Sequence, residues 1–221
     1  MYEQMETRWE GELPGDPQQV WDGFTKHAAA YLWPITYEPR VGGSERGLTP
    51  DGGKVTAWDP PRHFRTEASK PDGWFNVLDY TLEGTHLRYV HTCAMEASEL
   101  AVQHDACIQH TNFYLHSLGE YLGHFADREP HYFGLDEVPG STADVLRRLG
   151  VPADAAAGDT VGLGVVDYRA GSFVGIRTEN ALLRVYGRDI WGWPVGFAVH
   201  TFDGVADEPS WRELLIEKAV A

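Results

Sequence analysis

Residues 78–127 read LDYTLEGTHLRYVHTCAMEASELAVQHDACIQHTNFYLHSLGEYLGHFAD, and within this stretch the hydrophobic period changes from 2 to 3.6. Leu78, Tyr80 and Leu82 alternate on one segment, and Leu87, Tyr89, His91, Cys93 and Met95 alternate on the next, with Glu83-Gly84-Thr85 as the turn between them. Side chains two apart on a strand share a face, so each set is expected to look into an interior. After Glu96, the residues Cys107, Thr111, Tyr114, Leu118, Tyr121, Leu122 and Phe125 recur along one helical stripe, which predicts a long amphipathic helix over about 99–127. Gly119 and Gly123 within it each cost about 1 kcal/mol relative to alanine, which implies that another backbone passes close by. Such a helix needs a curved sheet to lie against.

Working outward, residues 35–95 come in short segments separated by Val41-Gly42-Gly43, Pro50-Asp51-Gly52-Gly53, Asp59-Pro60-Pro61 and Pro71-Asp72-Gly73. Turns at that spacing mark an antiparallel meander. Residues 7–12 alternate weakly and predict a first strand. Asp16 fits an N-cap with Pro17 in the first turn, opening a short helix through Val20, Trp21 and Phe24. A second helical piece from Ala28 to Leu32 should stop before Pro34. Downstream, 128–160 is broken by Pro130, Pro139, Gly140, Gly150, Pro152 and Gly158, with one short helix from Ser141 or Thr142 to Leu149. The module boundary is placed there, giving domains 1–130 and 131–221. Strands are expected at 162–168, 173–177, 182–186 and 195–202, with Ser210 capping a last helix through Trp211, Leu214, Leu215 and Ile216.

Of the 221 residues, 43% are hydrophobic and 12% aromatic, enough for a substantial core. A formal charge of -15 repels phosphate backbones and anionic headgroups, so neither nucleic acid nor a membrane is expected as a partner. No stretch approaches the roughly 20 apolar residues of a membrane helix, and residues 1–6 lack the pattern of a secretory leader. A cytoplasmic location is expected, with Cys93 and Cys107, the only two cysteines, as reduced thiols.

The order strand, two short helices, antiparallel strands and a closing helix is accompanied by several local features. These are Val20-Trp21-Asp22; Tyr37-Glu38-Pro39-Arg40 with Val41-Gly42-Gly43; Val55-Thr56-Ala57-Trp58-Asp59-Pro60-Pro61-Arg62; and Gly84-Thr85-His86-Leu87-Arg88-Tyr89-Val90-His91. In these features residues 7–127 resemble the START-like (SRPBCC) superfamily, in the branch related to the activator of heat-shock protein 90 ATPase and to polyketide cyclase-like proteins. The resemblance implies an α+β helix-grip fold, a curved antiparallel sheet wrapped around a long helix, followed here by a β-rich C-terminal extension similar to those of some bacterial members. Proteins of this kind hold hydrophobic molecules between sheet and helix, and some cyclise or hydrolyse them.

The residues expected to line such a site are Phe64, Leu78, Tyr80, Tyr89, His91 and Cys93 from the sheet, facing Cys107, His110, Thr111 and Tyr114 from the helix. Tyrosine and histidine tips can orient a hydroxyl or carbonyl on an apolar ligand, although each alone is more often an ordinary core residue. Tyr80, Tyr89 or His91 could serve as acid–base groups in a cyclase-like reaction. His104, His110, His116 and His124 lie six, six and eight apart, which scatters them around the helix. His91, Cys93, Cys107 and His110 would suit zinc chemically, but they read as pocket lining, and no metal or cofactor is expected. Gly162-Leu163-Gly164 lacks the rest of a dinucleotide fingerprint. The expected partner is a small hydrophobic molecule; a protein partner or a second copy of the chain is the alternative. For that alternative the place to look is Trp191-Gly192-Trp193-Pro194, with Tyr186 and Phe197 near it, a cluster that otherwise seals one module against another.

Overall fold

A computed structural model describes residues 1–126 and 128–217. The chain divides into two compact units. The first comprises Met1–Ala28 and Leu32–Ala126; the second takes the rest of the described chain together with Ala29–Tyr31. The helical piece expected from Ala28 to Leu32 is a short 3-10 turn, Ala28–Ala30, of which Ala28 belongs to the first unit and Ala29 and Ala30 to the second.

In the first unit, strand β1 spans Tyr2–Glu12, five residues longer at its start than its weak alternation suggests. Helix α1, Pro17–Thr25, is held at its start by a capping box. The Asp16 carboxylate accepts from the backbone of Gln18 and Gln19, and the Gln19 amide oxygen accepts from Asp16 N. Then follow β2 (Thr36–Tyr37), β3 (Ser44–Arg46), β4 (Gly53–Asp59), β5 (His63–Ser69), β6 (Phe75–Glu83) and β7 (His86–Glu96). They form one antiparallel sheet in the order β1-β7-β6-β5-β4-β3-β2, and helix α2 covers Leu100–His124. The helix end expected near 127 falls on a residue outside the described ones.

Strand register decides what this sheet presents. Tyr80 pairs with Phe64 on one side and Tyr89 on the other, and Leu78 pairs with Thr66 and His91. Paired residues share a face, so the alternating set gathers on one surface. There Phe24 stacks on Tyr80 at 4.9 Å, Trp21 meets Trp58 at 5.1 Å, and Tyr80 meets Tyr89 at 4.8 Å. Each such ring contributes about 1.5–3 kcal/mol by burial, and the edge-on and offset contacts add to that.

The close backbone approach expected at the glycines of α2 is not found. A Cβ at Gly119 would meet only the Leu13 side chain at 3.7 Å, and one at Gly123 only Pro14 at 3.5 Å. Both are ordinary van der Waals contacts, and no backbone lies against either position. The close approach is at Gly23 of α1, where a Cβ would sit 3.0 Å from Leu118 of α2. Gly119→Ala is therefore expected to stabilise the protein by up to about 1 kcal/mol through helix propensity. Thermal unfolding of the variant checks this, and a lowered melting temperature would contradict it.

The second unit contains β8 (His131–Val138), α3 (Thr142–Arg148), β9 (Thr160–Val161), β10 (Gly164–Ala170), β11 (Phe173–Arg177), β12 (Ala181–Tyr186), β13 (Val195–Thr201) and α4 (Glu208–Leu215). Its six strands run antiparallel in the order β8-β13-β12-β11-β10-β9. One face carries the core, with Phe133, Leu183, Val185, Phe197 and Val199 against Val145, Leu146 and Leu215 of the two helices. Strand β8 is absent from the sequence reading, because Pro130, Gly134 and Pro139 punctuate it like a loop; pairing with β13 makes it a strand. Asp207, not Ser210, caps α4. Pro209 belongs in the first turn, which moves the start forward and leaves the Ser210 hydroxyl donating back to Asp207 at 2.8 Å.

Candidate functional site

The polar residues on the inner face of the first sheet are brought together by register and by one turn of α2. Asn76 of β6 pairs with Cys93 of β7, so it lies diagonally beside His91 on the same face. Thr7 of β1 pairs with His91 from the other side. Helix α2 then sets Cys107 over the imidazole. The result is a hydrogen-bonded line, with Cys107 Sγ 3.2 Å from His91 Nδ1 and His91 Nε2 2.7 Å from Asn76 Oδ1. An amide oxygen only accepts, so Nε2 carries the ring proton and Nδ1 presents its lone pair to the thiol, whose S–H donates.

Burial sets the charge state of this line. It holds the His91 imidazole down at about 4 and pushes the Cys107 thiol up, with the Thr7 and Thr111 hydroxyls acting the other way on the thiol. Cys93 is driven to about 12 by burial, with Cys107 adding to the effect. Tyr89 is raised well above the ordinary tyrosine value, first by burial and then by Tyr80, Cys107 and Tyr37, and Tyr37 is raised in the same way. At neutral pH the cluster is thus uncharged: hydroxyl and thiol donors, and one imidazole.

Of the ten residues expected to line a site, Phe64, Leu78, Tyr80, Tyr89 and Cys93 are buried in the sheet face, and Thr111 is buried on the helix. His91, Cys107, His110 and Tyr114 remain partly exposed, as do Asn76 and Trp33. The aromatic wall therefore ends in a polar rim that solvent reaches. His110 turns its Nδ1 back to the Ala106 carbonyl at 2.8 Å and stands 5.7 Å from Tyr114, which meets Trp33 at 6.0 Å. His91 and Cys107 bond directly to each other, and among the described residues no three His, Cys, Asp or Glu side chains gather as a metal site. A separate dimple lined by Thr49, Lys70 and Trp74 has a volume of about 20 Å³ and admits little more than a water.

Asn76, Thr7 and Trp33 are not among the residues that the sequence pattern singles out. Asn76 has the same parity as Leu78 and Tyr80, so the period-2 pattern places it on their face; only its polarity kept it from view. In the second unit Trp191 and Trp193 stand 5.4 Å apart, with Phe173 5.9 Å from Trp191 and Tyr186 6.0 Å from Phe173. Phe197, expected beside them, points to the opposite face and meets Trp211 at 5.2 Å, because it is one residue out of phase with Gly196, the partner of Tyr186.

No protein-family model matches the chain, and no curated protein matches it in sequence. Among solved structures it is similar to protein MLL2253 from Mesorhizobium loti, at 16% identity and TM-score 0.45 over 53% of this chain and 96% of that one. It is also similar to SA2116 from Staphylococcus aureus, at 14% and 0.44 over 55% and 95%. DynU16, from the dynemicin biosynthetic locus, is similar at 17% and 0.43 over 95% and 93%. At these scores the likeness says nothing about a shared ligand or reaction.

Proposed function

We propose that the first unit binds a small, mostly apolar molecule carrying a carbonyl or hydroxyl, in the helix-grip manner, between the inner face of its sheet and α2. The observation that supports this is the half-open polar line Asn76–His91–Cys107 at the edge of the Phe24, Phe64, Tyr80 and Tyr89 rings. A small-molecule site is typically an apolar wall with a few convergent polar groups. Here the wall supplies burial, and the Asn76 amide N–H and the Tyr89 hydroxyl, both uncharged, orient one oxygen without the cost of desolvating an ion. Phe64, Leu78, Cys93 and Thr111 form the apolar side, and Tyr80, Tyr89, His91, Cys107, His110 and Tyr114 the polar one.

A neutral solvatochromic dye such as Nile red, competed by an aliphatic ketone, tests the reading. Saturable uptake is expected, with a stabilisation of about 2.7 kcal/mol once ligand exceeds its Kd a hundredfold. Tyr89→Ala should weaken uptake while the protein stays folded. If neither dye nor ketone binds and the melting temperature does not move, the reading fails.

A further inference from the structure

We propose that Cys107 captures the bound molecule covalently by conjugate addition, with His91 relaying the proton and Asn76 holding the imidazole, so that the ligand class is an apolar α,β-unsaturated ketone. This rests on the apolar-ligand reading above and adds a reaction to it. A nucleophile, a base within hydrogen-bond reach and a group that orients the base are the parts a covalent site requires. All three stand in line here, at 3.2 Å and 2.7 Å. Each is partly exposed, so a ligand has a way in.

The position of Cys107 selects the electrophile. It lies within α2, where the backbone N–H groups are taken up by the helix, and none remains to hold the oxyanion of an acyl transfer. In conjugate addition the charge develops elsewhere, on an oxygen several bonds from the attacked carbon. Tyr89, two residues from His91 on the same strand face, lies about 7 Å along the strand, within reach of that oxygen, and burial keeps its hydroxyl protonated as a donor.

The step balances without a further reactant. The S–H proton passes to His91 Nδ1 as sulfur bonds to the β-carbon. The C=C pair moves to the enolate, and the α-carbon takes the proton back from Nδ1. Net, S–H adds across the double bond, and the reverse is elimination. The neutral resting pair leaves no standing thiolate, so small polar alkylating agents should react slowly while a bound enone reacts quickly.

The test uses 3-nonen-2-one and its saturated counterpart 2-nonanone with the full chain. Intact mass spectrometry should show one adduct, mapped by fragmentation to Cys107, forming faster than on the acid-unfolded, refolding-blocked protein at the same pH. Cys107→Ser should abolish it. His91→Gln should slow it by about tenfold, less than the hundredfold or more that a base matched to the working pH contributes, because burial makes this imidazole a weaker base. Asn76→Ala should slow it and shift its pH profile, with Asn76→Asp restoring the rate. Melting temperatures of each variant with 2-nonanone report folding and binding separately from reaction. Binding of 2-nonanone without an adduct, an adduct on Cys93, or a rate indifferent to His91→Gln overturns the covalent proposal and leaves ligand binding standing. If 2-nonanone does not bind at all, both readings fall.

Discussion

Asp167→Ala is expected to destabilise the second unit by about 3–5 kcal/mol, the usual loss when one partner of a buried ion pair is removed. Arg184 on β12 is fully buried, and its Nη1 lies 2.9 Å from Asp167 Oδ2 on β10; the two side chains are 0% and 2% exposed. Without this carboxylate the guanidinium keeps its charge in a low-dielectric setting, since arginine does not deprotonate. Between them on β11 stands Gly175, where a Cβ would lie 2.4 Å from Asp167 Oδ1 and 2.6 Å from Arg184 Nη1. A glycine is needed there to leave room for the pair, whatever its backbone angles. Hydrogen exchange of the β11 and β12 amides is the measurement to make, since it isolates this unit. Protection falling by less than tenfold in Asp167→Ala would mean the pair contributes little, whereas Asp167→Asn, which keeps the shape, should lose less.

The second large effect is acid destabilisation through two neutral histidines. His200 is fully buried, donates Nδ1–H to the Ala29 carbonyl at 2.8 Å, and its Nε2 has no hydrogen-bond partner among the described residues. Burial, together with nearby Arg184, holds it at about 3 against the pull of the Ala29 carbonyl, while burial holds His91 at about 4. Both lie below the ordinary histidine value of about 6.5. The unfolded chain therefore binds protons that the folded one refuses. The contribution is fully present well above pH 6.5 and is lost as the pH falls from there to about 4 for His91 and about 3 for His200. At pH 5 the loss should be about 2 kcal/mol for each histidine. Urea midpoints from pH 7.5 to 4.5 should fall accordingly, and His91→Gln and His200→Gln should each flatten the curve. Midpoints that hold steady to pH 4.5 in the unsubstituted protein would show that these rings charge without cost.

Much of this architecture is legible from local chemistry. The turns at 41–43, 50–53, 59–61, 71–73 and 83–85 all fall at strand junctions, with Gly53, Asp59 and Glu83 as terminal strand residues, and Asp16-Pro17 and Ser141-Thr142 begin helices where capping chemistry says they should. Strand β8 is not legible, because its glycine and flanking prolines resemble loop punctuation until β13 pairs with it. The helical stripe is only half right. In the first half of α2 only Ala106 and Thr111 are buried, while Phe113, Leu115 and Ser117 are buried outside the predicted stripe. A helix covered on more than one side loses the single-face period on which the reading depends.

The candidate site divides along the same line. Period-2 alternation is a property of the chain, and it assigns Leu78, Tyr80, Tyr89, His91 and Cys93 to one face before any partner is known. Which residue of β6 stands beside His91, and which turn of α2 lies above it, depends on register and helix placement, and a slip of one residue would send the whole set to the other face. Asn76, His91 and Cys107 are 15 and 16 residues apart in sequence. They become one hydrogen-bonded line because antiparallel pairing and the docking of α2 bring three separate elements within 3.2 Å, contacts that no local propensity encodes.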